Sequence, residues 1–126
     1  KPPLLPKWAM GFANTEWGID QNELTNIVAT YRQKNIPIDQ YVLDFDWKAW
    51  SEDNYGEWRW NTIKFPGGLS GQLRQDMDAA GIKLGGIMKP RIHVNTVQGS
   101  YATTNNFGGR ARRPTATIFP DNRSRT

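Results

Sequence analysis

The 126-residue sequence has no cysteine, one histidine and no apolar run near the length of a membrane span. Without cysteine there is no disulfide framework and no thiolate metal site, and the redox compartment cannot be read. A lone histidine with no carboxylate cluster around it leaves no transition-metal ligand set, so no metal and no cofactor are expected. No charged-then-apolar leader opens the chain, which reads as soluble, with no membrane partner and any export signal lying outside it. An excess of one charge is also missing over most of the length. The formal net charge is +4, but residues 1–107 hold 11 Lys+Arg and 11 Asp+Glu, whereas residues 108–126 hold 5 Arg and 1 Asp. A nucleic-acid reading therefore rests on the terminal arginines alone, and it predicts affinity that falls steeply with salt. The expectation is no nucleic-acid partner.

The aromatics are distributed the other way, since all six Trp lie between Trp8 and Trp60. Tryptophan among Asp, Asn and Glu suits a site for sugars: the apolar face of a pyranose packs on a ring while its hydroxyls need polar partners.

Along the chain, Lys1 to Lys7 is Pro-rich and reads as an entry segment. Trp8 to Ala13 is a short apolar run taken as the first strand, and Asn14 to Ile19, with Glu16 and Trp17, as the loop at its C-terminal end. Asp20 and Glu23 have the spacing of a capping box. Leu24, Ile27, Val28 and Tyr31 then mark one face of a helix that ends near Lys34-Asn35, with Pro37 beyond it. Tyr41-Val42-Leu43-Asp44-Phe45-Asp46 reads as a buried second strand running into two acids. On a strand, Asp44 and Asp46 point the same way and Phe45 points to the other face. Either these acids line a site at the strand's C-terminal end, where α/β sheets keep their chemistry, or they cap the strand.

Trp47 to Phe65 fits no single period and reads as a long aromatic loop with a short hairpin around Asn54-Tyr55-Gly56. Leu69, Leu73, Met77 and Ala80 predict a second helix closed by Gly81. Lys83 to Met88 predicts a third strand, and Lys89 to His93 the loop that leaves it. The order β-α-β-α-β, with crossover helices of about 12 to 15 residues, predicts an α/β fold with a parallel sheet.

Five blocks in this order resemble glycoside hydrolase family 31, the α-glucosidases, α-xylosidases and related α-glycosidases: Pro6 to Phe12, Asn35 to Asp39, Leu43 to Trp47, Lys64 to Pro66 and Gly81 to Leu84. The similarity covers about residues 2 to 106. The resemblance implies a partial (β/α)8 TIM barrel, comprising strands one to three with two crossover helices, because 126 residues are about half of such a barrel. It also implies an α-linked carbohydrate substrate, hydrolysed with retention by two carboxyl groups. In the family the nucleophile lies at the end of the fourth strand and the acid/base near the sixth, so no catalytic residue is assigned in this chain, and the remainder of the barrel is needed for a complete site.

What the resemblance carries over is substrate contact. Asp44 matches the strand-two aspartate that accepts from sugar hydroxyls, Phe45 an apolar wall residue, Trp17 an aromatic after strand one, and Ile87 a strand-three wall residue. Asp46 and Lys89 complete the expected substrate-binding set. Lys89-Pro90 departs from the family's Asp-Pro, and the exchange of sign suits either a sugar with an acidic or acetamido substituent or a Lys-Asp pair within the site. Trp17 as ordinary packing, Ile87 as barrel core and His93 as a plain loop residue are the competing readings. A non-catalytic carbohydrate-binding domain, suggested by Trp17, Trp47, Trp50, Trp58 and Trp60, is the alternative from another class; its usual β-sandwich conflicts with two helices.

From Gly108 the family pattern stops, which divides the chain into barrel residues 1–107 and an irregular basic tail, 108–126. A coding strand for Phe-Trp-Trp-Pro-Gly-Ala-Thr-Pro-Tyr-Ser-Asp-Tyr-Phe-Pro, read after losing one base in the first Trp codon, can give Phe-Gly-Gly-Arg-Ala-Arg-Arg-Pro-Thr-Ala-Thr-Ile. One added base then restores Phe119-Pro120. Residues 108 to 118 thus read as a local frame error.

Overall fold

Three short parallel strands lie side by side in chain order, β1 (Ala13–Glu16), β2 (Gln40–Leu43) and β3 (Lys83–Gly86). The computed structural model describes residues 2–49, 57–88 and 92–107. The chain divides into two units, one of Lys1–Trp47 with Trp60–Ile87 and one of Lys48–Arg59 with Met88–Thr126.

In the first unit, α1 (Gln21–Gln33) connects β1 to β2 and α2 (Gln72–Ala79) connects β2 to β3. The capping box is formed in both directions: Asp20 Oδ1 accepts from the Glu23 amide at 2.9 Å, and Glu23 Oε2 accepts from the Asp20 amide at 3.0 Å. Such a cap is worth about 1 kcal/mol. Leu24 and Val28 are buried and Ile27 and Tyr31 half-buried, as the spacing predicts. The helix closes with Asn35 at φ 55° and the Ile36 amide donating to Tyr31 O at 2.9 Å. Beyond its last turn α2 ends the same way, with Gly81 at φ 75° and the Ile82 amide on Met77 O at 2.8 Å, a geometry glycine adopts without strain. Arg32 of α1 joins the two connections, donating from Nε to Ala80 O at 3.0 Å and from Nη2 to Ile38 O at 2.9 Å. At Ala80 the guanidinium satisfies a carbonyl that the end of α2 leaves unpaired.

Both helices share one core with one face of the sheet: Leu24, Val28, Leu73 and Met77 cluster with Tyr41, Leu43, Phe65 and Ile82, and Leu84 packs against them. Sequential strand order with both helices on one face is the arrangement that curls into a barrel; a doubly wound sheet reverses direction and covers both faces. By the two-residue period of a strand, Thr15, Val42 and Gly85, which are level with one another in the register, belong to the opposite face.

Several boundaries differ from the sequence reading. Lys7–Met10 is a 3-10 turn and β1 begins only at Ala13, so the apolar run marks the approach to the strand and not the strand itself. The second strand ends at Leu43 and Phe45–Trp47 is a second 3-10 turn, so the alternation expected of Asp44, Phe45 and Asp46 does not apply. Helix α2 starts at Gln72 and leaves Leu69 exposed, because Gly71 at φ 81° breaks the backbone between them.

The second unit contains a helix that periodicity does not announce, α3 (Val97–Thr104). Its signal is a cap: Thr96 Oγ1 accepts from the Gly99 amide at 3.0 Å and donates to His93 O at 2.7 Å. Gly99 is required there, since a Cβ would meet His93 O at 1.9 Å. Ala49 N donates to Arg59 O at 2.9 Å in the same unit. The expected hairpin at Asn54-Tyr55-Gly56, the Lys89-Pro90 pair and the basic tail lie outside the described residues. No helix among the described residues is long and apolar enough to cross a membrane.

Candidate functional site

In the register of the first unit, Glu16, Leu43 and Gly86 are level with one another and are the last residues of their strands. Trp17, Asp44 and Ile87 are therefore each one step past an aligned strand end, on the rim where parallel sheets carry ligand sites. Thr15, Val42 and Gly85, one step before these ends, are exposed or half-buried, unlike the helix-covered residues on either side of Val42. The amide of Ile87 donates to Leu43 O at 2.9 Å, which prolongs the ladder by one rung and fixes Ile87 beside Asp44.

Asp44 is half-buried, and its Oδ1 accepts from the next amide, Phe45 N, at 2.7 Å. That bond begins the 3-10 turn, which sends its three side chains to different neighbours. Phe45 meets the ring of Trp17 at 5.8 Å between centroids, tilted by 47°. Asp46 is 5% exposed; its Oδ2 accepts from Gly18 N at 2.7 Å and its Oδ1 from the ammonium of Lys64. Trp47 donates from Nε1 to Ile87 O at 2.9 Å and packs edge-on against Trp60 at 5.4 Å. Gly86 leaves the space for this indole, because a Cβ there would lie 2.8 Å from Nε1.

Of the residues expected at a site, Trp17, Asp44, Phe45, Asp46 and Ile87 are thus brought together, and Lys89 lies outside the described residues. Trp17 is 62% exposed, so its ring is offered to solvent, whereas Trp47 and Trp60 are packed with Phe65 against the core. Of these three tryptophans, one is therefore on the rim and two are structural. Sequence reasoning missed Lys64 and Gly18 as the partners of Asp46. No local pattern joins positions so far apart, although Lys64 stands in one of the blocks that carried the resemblance.

His93, in the second unit, is 8% exposed, and its Nδ1 accepts from Asn95 N at 3.2 Å in the turn that leads to α3. In that unit Glu57 is buried and paired with Arg59, Nε to Oε1 at 2.9 Å, a contact that raises the arginine's pKa further. No group of three or more His, Cys, Asp or Glu among the described residues could hold a metal ion. At the other end of the sheet, before β1 and β2, Phe12, Tyr31, Ile36 and Pro37 line an apolar groove of about 600 Å³. It has no carboxylate in its lining.

Comparison with known proteins agrees with this geometry. The family model of the glycosyl hydrolases family 31 TIM-barrel domain matches residues 2–122. A 1,6-alpha-glucosyltransferase of Sporosarcina globispora is 52% identical over 113 residues, covering 85% of this chain and 9% of that protein. Among solved structures, an alpha-xylosidase of Xanthomonas citri superposes with a TM-score of 0.69 at 26% identity, over 82% of this chain and 11% of that one. An alpha-xylosidase from a soil metagenome, solved with xylose, reaches a TM-score of 0.72 at 22% identity, over 90% of this chain and 16% of its own. The chain spans about a tenth of the length of the relative from Sporosarcina. The parallel three-stranded sheet is part of a TIM barrel, and the chain belongs to glycosyl hydrolase family 31.

Proposed function

We propose that this chain is the opening portion of the catalytic barrel of a retaining α-glycosidase, and that it grips the sugar while the reacting carboxylates are encoded in later strands. The observation that carries the reading is the alignment of Trp17, Asp44 and Ile87 one residue past three level strand ends, with Phe45 against Trp17. Asp44 accepts hydrogen bonds from sugar hydroxyls, and a charged acceptor is about twice as strong as a neutral one. Trp17 and Phe45 offer apolar surface to the ring, and Ile87 closes the wall. Sugar complexes among the structural relatives support a carbohydrate partner, one holding glucose and one xylose.

In the reaction a carboxylate attacks the anomeric carbon while the acid protonates the departing oxygen, leaving a glycosyl ester on the enzyme. Water, deprotonated by the same second group, then releases the sugar with retained configuration. The 52% identity to a 1,6-alpha-glucosyltransferase favours a second reading, in which a sugar hydroxyl takes the place of that water and a new α-linkage forms. The two differ only in the acceptor, so incubation of the complete protein with an α-linked disaccharide separates them: free monosaccharide alone supports hydrolysis, and longer oligosaccharides support transfer. The 126-residue chain by itself is expected to turn over no aryl α-glycoside; turnover above buffer would overturn the proposal.

The same reading assigns residues 1–107 to the barrel and 108–118 to a frame error. The reach of the family match to residue 122, beyond the basic run, supports Phe119 and Pro120 being back in frame. Resequencing the coding DNA tests it, and an intact basic run in clean sequence would contradict it.

A further inference from the structure

We infer that Asp46 is a positioning residue of the sugar site, not one of its ligands, and that it acts by tethering the loop that carries Trp17. This rests on the proposed sugar site but adds a role within it.

A side chain that binds a sugar needs an oxygen open to solvent, and Asp46 is 5% exposed with each oxygen already engaged, Oδ2 by Gly18 N and Oδ1 by Lys64. Asp44, two residues earlier, is half-buried. The contrast follows from the 3-10 turn, which turns Asp46 away from the direction that strand alternation would give it.

Trp17 is 62% exposed, and its ring meets Phe45 of the turn that also carries Asp46. The next residue, Gly18, takes φ 82°, a conformation that a bulky residue avoids, and its amide is the donor to Asp46. Lys64 reaches the same carboxylate and its carbonyl accepts from Gln21 N at 2.9 Å at the start of α1. One buried carboxylate thus joins the loop after β1, the turn after β2 and the segment before α2. An indole whose neighbouring backbone is fixed meets a sugar face without first losing its freedom, which is how preorganisation strengthens binding.

The test uses the complete enzyme labelled with 5-fluorotryptophan, the Trp17 fluorine resonance being assigned by Trp17→Phe. Asp46→Ala is expected to move that resonance towards the value of a solvent-mobile indole, with about a tenfold rise in KM and kcat within about threefold. Asp46→Asn keeps an acceptor for Gly18 N, loses the ion pair, and should leave the Trp17 resonance nearly in place; it also serves if the alanine variant fails to fold. A Trp17 resonance unmoved in Asp46→Ala would overturn the inference. So would an Asp46→Asn variant that loses sugar binding as Asp44→Asn does while Trp17 stays fixed, since Asp46 would then be a ligand. The fluorine readout needs no sugar, so an inactive wild-type protein would defeat the proposed function without deciding the tether.

Discussion

The two faces of the small sheet differ sharply. The face towards α1 and α2 is covered by a continuous set of buried side chains, with Leu24, Tyr41, Phe65 and Ile82 fully enclosed. The other carries small and polar groups, Ala13, Thr15 and Gly85 exposed and Gln40 and Val42 only half-buried. Burial at about 25 cal/mol per Å² places the stabilising free energy on the first face. The residues proposed to meet a sugar stand just past the strand ends, where core packing does not dictate their identity. Folding and recognition therefore draw on different side chains, and substitutions should separate them.

The largest expected effect on stability is at Phe65. Truncating this fully buried ring with Phe65→Ala should cost about 3 to 5 kcal/mol, read from urea unfolding of the complete protein, with no special effect on sugar affinity among molecules that remain folded. A loss of affinity without loss of stability would break the comparison. Next is Gly68→Ala. Its Cβ would stand 2.4 Å from the Trp60 ring, so about 1 to 3 kcal/mol should be lost and the near-ultraviolet circular dichroism of Trp60 should change.

Asp44→Asn should do the reverse, leaving the unfolding free energy within about 0.5 kcal/mol while kcat/KM falls about 10- to 100-fold. The smallest effect is expected at Tyr41, whose hydroxyl is buried without a hydrogen-bond partner among the described residues. Tyr41→Phe should be neutral or slightly stabilising, since a buried polar group without a partner is removed. Burial, with smaller contributions from Glu16 and Tyr31, pushes the Tyr41 phenol up to about 12. The folded state thus holds this proton more tightly than the unfolded one, whose phenol ionises near the ordinary tyrosine value of 10.0. The stability linked to it is present below that pH and declines as pH rises from there towards about 12. Tyr41→Phe should remove this alkaline decline in a pH series of unfolding midpoints.

Much of the helix-covered face was legible in the sequence because its signals are local. Asp20 with Glu23, the spacing of Leu24 to Tyr31 and the glycine at Gly81 each encode a piece of backbone without reference to distant residues. The limits of β1 and β2 were not legible in the same way. Apolar content persists through Trp8 to Phe12 and through Phe45, whereas the ladder depends on partners in other strands. Helix α3 escaped because Val97–Thr104 has no apolar period and only Thr96 marks its start. At the rim, the resemblance named Trp17, Asp44, Phe45 and Ile87 as substrate contacts, and the common level of Trp17, Asp44 and Ile87 past the strand ends emerged only from the register. The engagement of Asp46 by Gly18 and Lys64 was invisible, since nothing in the intervening sequence links them.

The most direct measurement of the central claim is a crystal structure of the complete protein with an α-linked oligosaccharide bound. The account predicts a sugar hydroxyl within hydrogen-bond distance of the Asp44 carboxylate, a ring face against Trp17, and Asp46 still on Gly18 N and Lys64. A sugar seated elsewhere, with Asp44 and Trp17 untouched, would contradict it.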